Sequence, residues 1–464
     1  MKKNILYIMY SCVFVGICLI PSVLMPFIST DSTTEKRKLS EIPKIKTEDG
    51  RFNTGFFSEF ETYFSEHFAL RPQLVTADGY IKSGLFRTSP DDDVITGKDG
   101  WLYYGDTLND FLNIETLSAR GINNIKNNLE IINDYCNENN VKFVFTIAPN
   151  KNSVYPEYMP TRYVPADDTG NYERLSGTFG ENFPFCDMKE VILSTESNIP
   201  LYHKEDTHWN NLGAYTGHKA IMNMLGKESC PEGNWTVRND RKGDLAEMIY
   251  PTAKADDTQV YSDYEYNYDY SGRFRGLDDM SIKTSCDGKT GNLLMYRDSY
   301  GEAILPFMAE CFGKAEFSRI VPYRLDNIGG ENADTLIIEI VERNIPDLQK
   351  YAPVMPAPVV NSLDIKNLKV CQDITINQEE SGNYIHIFGE LGDEFFISDN
   401  VGIFVTINGI TYRAFNAFED QLLSRSGESS DNGFSLYVPV ENSTNTKNIT
   451  VISINENGTA VSSQ

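Results

Sequence analysis

The feature that most constrains this fold is an amphipathic helix pattern followed at once by a buried strand pattern. Ile122, Ile125, Leu129 and Ile132 recur at i, i+3, i+7 and i+10, the stripe of a helix packed on a core. Directly after it, Val141-Lys142-Phe143-Val144-Phe145-Thr146-Ile147-Ala148 is a β-branched and aromatic run that Pro149 stops. Residues 293–296 and 335–341 repeat the strand signal, and helical patterns over 212–225 and from near Ser299 separate them. Strands alternating with helices predict an α/β fold, a parallel sheet with both faces covered.

The flanks differ from this middle. After Lys2-Lys3 no charge appears until Asp31, and residues 5–27 are nearly all apolar, long enough to span a bilayer as a helix. The two lysines predict a cytoplasmic N-terminus and an exported remainder. No A-x-A-like site ends the run, so it reads as an uncleaved signal-anchor rather than a cleaved signal peptide. Residues 28–50 read as a polar tether, and Phe52, Phe56, Phe57, Phe60, Tyr63, Phe64 and Phe68 predict an amphipathic helix over 52–71. Gly97-Lys98-Asp99-Gly100 reads as a tight turn leading into a short strand over 101–104. Pro353, Pro356 and Pro358 mark a linker, beyond which short alternating strands over 384–387, 403–407, 434–438 and 449–452, with an Asn408-Gly409 hairpin turn, predict a β-sandwich. The expected organisation is a transmembrane segment over 1–30, tether and helix over 31–90, a catalytic domain over 91–350, a linker over 351–358 and a β-sandwich, read as carbohydrate-binding, over 359–464.

A net charge of −25 excludes DNA or RNA as a partner by repulsion. Eight cysteines include Cys12 and Cys18 in the apolar segment. The rest (136, 186, 230, 286, 311 and 371) show neither CxxC pairing nor zinc-site spacing, so no metal site and no cofactor is expected, and most read as buried free thiols.

The chemistry-bearing residues fall in two short segments. In Arg297-Asp298-Ser299-Tyr300-Gly301 a serine stands where a strand ends and a helix begins. Unsatisfied N–H groups and the positive end of the dipole there favour a developing oxyanion. On this segment alone, helix capping by Asp298 or Ser299 explains the residues better. In Asp206-Thr207-His208-Trp209, one of only five histidines follows an aspartate by two positions. Extended backbone would turn both to one side, letting the carboxylate fix the imidazole while its other nitrogen serves as base. The helix that follows is expected to be capped by Asn210 or Asn211. A metal site on His203, Asp206 and His208 is the rival reading, and it lacks a fourth ligand.

Taken in order, the motifs resemble the DHHW proteins and the alginate O-acetyltransferases AlgX and AlgJ, whose catalytic domain is similar to SGNH hydrolases. The matching pieces are Arg37-Lys38-Leu39, Phe64-Ser65-Glu66-His67-Phe68-Ala69-Leu70-Arg71, Gly97-Lys98-Asp99-Gly100-Trp101-Leu102, Ala148-Pro149-Asn150-Lys151, Val154-Tyr155-Pro156, Asp206-Thr207-His208-Trp209, Gly243-Asp244-Leu245-Ala246, Arg297-Asp298-Ser299-Tyr300, Leu305-Pro306-Phe307 and Glu339-Ile340-Val341-Glu342-Arg343-Asn344. Thr207 stands where the DHHW name implies a histidine. The resemblance implies an SGNH-hydrolase-like sheet in permuted order, with Ser299 as nucleophile, His208 as general base and Asp206 as the orienting acid. It also implies transfer of acetyl groups to hydroxyls of an exported polysaccharide, with a membrane-bound O-acyltransferase delivering the acyl group. Asn150 or Lys151 is expected to add an oxyanion donor, and Trp209, Arg297 and Tyr300 to line the substrate site. A carbohydrate acetylesterase with the same triad, or a non-catalytic polysaccharide-binding scaffold, are the competing readings.

Overall fold

The computed structural model describes residues 2–25, 27–28, 39–47, 49–330, 332–417, 431–440 and 448–464. Residues 29–38 and 48 of the tether read over 28–50, including Arg37-Lys38, lie outside the described residues. The chain divides into two compact units, one of Met1–Gly105, Lys204–Thr207 and Asn239–Asp257, the other of Asp106–His203, His208–Arg238 and Thr258–Gln464.

The larger unit is built on a seven-stranded sheet. Its strands are β1 (Lys142–Ala148), β2 (Phe185–Cys186), β3 (Tyr268–Tyr270), β4 (Ser281–Cys286), β5 (Asn292–Tyr296), β6 (Lys314–Ser318) and β7 (Thr335–Val341). They lie in the order β2-β1-β7-β5-β6-β4-β3. The first five in that order run parallel, while β4 and β3 add antiparallel edges. The sheet is therefore mixed rather than purely parallel. Every residue of β7 is buried, as a central strand covered on both faces requires.

Successive residues send their side chains to opposite faces. Val144, Leu293, Met295, Phe317 and Ile337 meet helices α2 (Asn211–Leu225) and α3 (Gly301–Ala309). Phe143, Phe145, Ile147, Leu336 and Ile338 meet α1 (Ala119–Glu138), whose Ile122, Ile125, Leu129 and Ile132 form the expected stripe. Where β4, β5 and β6 turn Lys283, Ser285, Asn292, Lys314 and Glu316 outward, they floor a polar trough of about 860 Å³.

Beyond residue 358 the chain forms two further sheets, one of six strands and one of three. Ile387 and Leu436 from the three-stranded sheet share an apolar core with Val405 and Val451 from the other. Asn408 and Gly409 adopt φ of 52° and 84°, the left-handed pair that a two-residue hairpin turn needs, and Ile407 pairs with Ile410 across it. Asparagines on α1 tie this region down: Asn124 donates to the Asp431 carbonyl, Asn127 to that of Val401 and Asn128 to that of Asn416. The proline-marked stretch read as a linker is packed into the fold. Ala352, Val354, Met355 and Ala357 are buried, and the Val354 and Ala357 N–H groups donate to the carbonyls of Tyr323 and Tyr437. Prolines carry no N–H to leave unsatisfied, which is what lets this segment run through apolar surroundings.

In the smaller unit, helix Lys2–Leu24 contains a stretch, Tyr7–Leu24, long and apolar enough to cross a membrane. The aromatic helix is shorter than expected, Phe56–His67, and Phe57, Phe60 and Phe64 remain 73, 43 and 37 % exposed. The core of this unit is instead Val94, Leu102, Leu245, Ala246 and Ile249. Cys136, Cys186, Cys230 and Cys286 are buried free thiols, as expected.

Candidate active site

Parallel strands deliver their C-terminal ends to one edge of the sheet, where open α/β folds bind ligands. β5 ends at Tyr296 and α3 begins at Gly301, so Ser299 stands on the turn between them. Asp298 shapes that turn: its Oδ1 accepts the Tyr300 N–H at 2.8 Å and its Oδ2 accepts the Val341 N–H at 2.5 Å. This is the turn-forming role that capping predicts for Asp298, and it leaves the serine hydroxyl to chemistry.

His208 comes from a loop that a single antiparallel bridge closes, Tyr202 with Trp209, reinforced by the His203 N–H donating to the His208 carbonyl. Residues 204–208 run through bends rather than the extended backbone expected. Closure of the loop, not strand geometry, therefore sets the histidine's direction. Asn210 caps α2 immediately afterwards, its side chain accepting from the Leu212 and Gly213 N–H groups, as expected. The result is a 2.9 Å contact between His208 Nε2 and Ser299 Oγ, with both residues partly exposed. With the imidazole proton on Nδ1, the serine hydroxyl donates to Nε2, which is the arrangement a general base needs.

Asp206 is almost wholly buried, at 1 % exposure. Its Oδ2 accepts from Arg241 Nη2 at 2.7 Å, from Arg241 Nε at 3.2 Å and from the Asp244 N–H at 3.2 Å, while Asp244 Oδ1 accepts the Thr207 N–H at 2.8 Å. Sequence reasoning quoted Asp244 within a motif without giving it a role, and missed Arg241 altogether. An arginine in an exposed strand carries no spacing signal that points to a carboxylate 35 residues upstream.

Trp209, Arg297 and Tyr300 are 1, 4 and 1 % exposed, which leaves them no surface to offer a sugar. They build the site instead of lining it. Trp209 Nε1 donates to the Tyr300 carbonyl at 3.0 Å and its ring meets that of Tyr300 edge-on, tying the histidine loop to the serine turn. Losing that bond costs about 1 kcal/mol, so Trp209→Phe is expected to lower kcat by up to roughly fivefold with the fold intact. Circular dichroism beside steady-state kinetics checks this, and an unchanged kcat would mean the strut is idle.

Asn150 and Lys151 follow β1 at the same edge. The Asn150 N–H donates to Glu342 Oε2 at 2.7 Å and its side-chain amide to Asp110 Oδ2 at 2.7 Å, and the Lys151 ammonium donates to the His203 carbonyl at 3.1 Å. The Asn150 backbone N–H is thus engaged by a carboxylate rather than offered to an oxyanion. Burial, with the Glu342 charge adding, pushes the Asp110 carboxyl up to about 7. A carboxyl raised in the fold holds its proton more tightly there than in the unfolded chain. Its contribution to stability is full below the ordinary value of 3.8 and is lost as pH rises to about 7. Melting temperatures across that window should fall less steeply for Asp110→Asn than for the native chain, and parallel curves would refute the assignment.

Ser299 and His208 thus stand in hydrogen-bond contact at the C-terminal edge of the sheet. Residues 94–277 match the family model of an SGNH hydrolase-like domain, acetyltransferase AlgX. That stretch contains Asp206 and His208 and stops short of Ser299. No curated protein matches the chain significantly. Among solved structures, Bacillus cereus PatB1 is 18 % identical over 55 % of this chain and 97 % of its own, with a TM-score of 0.44. A DHHW family protein from Eubacterium siraeum is 17 % identical over 54 % and 94 %, with a TM-score of 0.40. Pseudomonas aeruginosa AlgX is 14 % identical over 81 % and 92 %, with a TM-score of 0.36.

Proposed function

We propose that this chain is a membrane-anchored, extracytoplasmic O-acetyltransferase that modifies sugar hydroxyls of a cell-surface or exported polysaccharide through an acyl-serine. The observation that carries the reading is the 2.9 Å contact of His208 with Ser299, in a chain whose residues 94–277 match an acetyltransferase domain. His208 Nε2 takes the Ser299 proton as Oγ attacks the donor's acyl carbon. The tetrahedral oxyanion is held by backbone N–H groups where α3 begins. His208 returns the proton to the leaving group, and the acetyl group stays on Oγ. A sugar hydroxyl then gives its proton to His208, attacks the ester and frees the serine. Asp206, two residues before the base, orients the imidazole and stabilises its protonated form.

A membrane-bound O-acyltransferase is proposed as the acyl supplier, with helix Lys2–Leu24 anchoring the chain and Lys2-Lys3 on the cytoplasmic side. The catalytic sheet is proposed as a permuted SGNH-type domain and the C-terminal strands as a β-sandwich serving a glycan. The trough floored by Lys283, Asn292, Lys314 and Glu316 adds the polar groups such a chain would engage.

The test incubates the full chain in detergent with p-nitrophenyl acetate and oligosaccharides of the producing cell's polysaccharide, and reads products by mass spectrometry. Acetylated oligosaccharide supports the transferase. Acetate alone selects the acetylesterase, and no turnover of either kind leaves the binding scaffold.

A further inference from the structure

We infer that Glu339 is a positioning residue for Ser299: a buried carboxyl group beneath the nucleophile turn that holds Asp298, and through Asp298 the serine, in place. The inference rests on the reading of Ser299 as nucleophile. Glu339 lies on β7 at 2 % exposure, and its Oε2 accepts the Asp298 N–H at 3.1 Å. A Cβ placed on Gly301 would sit 2.9 Å from that same oxygen, so the carboxyl group lies flush under the first residue of α3. Asp298 in turn holds the Tyr300 and Val341 N–H groups, one on each side of the serine's support. The turn is therefore pinned through Asp298, and Asp298 is pinned through Glu339.

A buried carboxyl group beside a second, half-buried one does not ionise cheaply. Arg297 does not relieve them fully. It donates to the carbonyls of Asp298 and Leu277 and pairs with Glu302 at 3.7 Å. Glu339 Oε1 has no hydrogen-bond partner among the described residues, and Glu339 lines a cavity of about 210 Å³ whose other walls mix Ile125, Leu129 and Leu348 with Asn128, Arg297 and Arg319. A carboxylate oxygen in such surroundings would be an unpaired charge, whereas a carboxylic acid tolerates them. The charged and titratable groups facing this spot are Asp298 and Arg297 from the turn, Glu302 from α3, Arg319 and Tyr323 after β6, and Asp347 and Tyr351 after β7; α1 presents only Ile125, Asn128, Leu129 and Ile132. Burial first, then the Asp298 charge, hold the Glu339 carboxyl well above its ordinary value. Ionisation would place a buried charge beneath the turn and loosen the clamp on the serine.

The test compares native chain, Glu339→Gln and Glu339→Ala, full length in detergent, by p-nitrophenyl acetate kinetics and melting temperature from about pH 5 to about pH 9. Glu339→Gln keeps a neutral acceptor, so kcat near neutrality is expected to stay within about twofold of native. Glu339→Ala is expected to lose about tenfold or more in kcat with little change in KM. A carboxyl raised in the fold contributes stability that is lost as pH rises above its ordinary value of 4.5. The melting temperature of Glu339→Gln is therefore expected to gain on the native chain as pH rises. A constant gap between those two curves overturns the neutral carboxyl, whether or not Glu339→Ala folds. Native kcat in a folded Glu339→Ala overturns the positioning role. Absence of turnover in the native chain would instead fail the nucleophile reading, and the melting curves would still judge the protonation of Glu339.

Discussion

Ser299→Ala is expected to lower kcat for p-nitrophenyl acetate by about three to four orders of magnitude, and His208→Ala by a similar factor. The size follows from the 2.9 Å contact: once either partner is gone, the other has no task. For the same reason the double variant should be hardly worse than either single one, because members of one catalytic unit are strongly non-additive. What remains would be the share owed to the oxyanion donors and to substrate binding. A single-turnover experiment separates this from general damage, since the native chain should carry an acetyl group on the Ser299 peptide and His208→Ala should not accumulate it. Losses that multiply in the double variant would mean that the two side chains act independently, and the dyad would have to be abandoned.

The parts of the fold legible from sequence were those whose signals are local. The stripe Ile122, Ile125, Leu129 and Ile132 and the run ending at Pro149 became α1 and β1, because periodicity and β-branching act within a few residues. Asn210 was readable as a cap for the same reason. The antiparallel edge strands were not legible, since direction is decided by which distant strand is met, and that depends on chain reversals sequence does not encode locally. The asparagines of α1 had no reading either, because their partners Val401, Asn416 and Asp431 lie 274, 288 and 307 positions away. At the site, residue type singled out Ser299 and His208, since few side chains can serve as nucleophile and base, and the fold sets them 2.9 Å apart. Type misled for Trp209, Arg297 and Tyr300, because an aromatic or an arginine beside a catalytic residue serves equally well as a wall or as its buttress, and only burial tells these apart. Asp298 and the buried Glu339 lie 41 positions apart, and their pairing could be found only in three dimensions.

Gly301→Ala is expected to damage catalysis far more than stability. As a helix position the site should welcome alanine, by up to about 1 kcal/mol. Against that, a Cβ there would meet Arg297 Cβ at 2.6 Å, Arg297 Cδ at 2.9 Å and Glu339 Oε2 at 2.9 Å. The first of these is rooted on the backbone and cannot swing away, so overpacking of about 1–3 kcal/mol has to be met by moving the turn. The first term offsets part of the second, leaving a net loss of roughly 0–2 kcal/mol in a protein that would still fold. Catalysis has no such compensation. The movement falls on the segment carrying Ser299, and displacing a reacting group by about 1 Å costs on the order of a hundredfold. Denaturant unfolding should therefore show a small shift in midpoint, while kcat falls by about a hundredfold with KM little changed. A variant that keeps native kcat would show that α3 can slide without carrying the serine, and the clamp formed by Asp298 and Glu339 would then not be what holds the nucleophile.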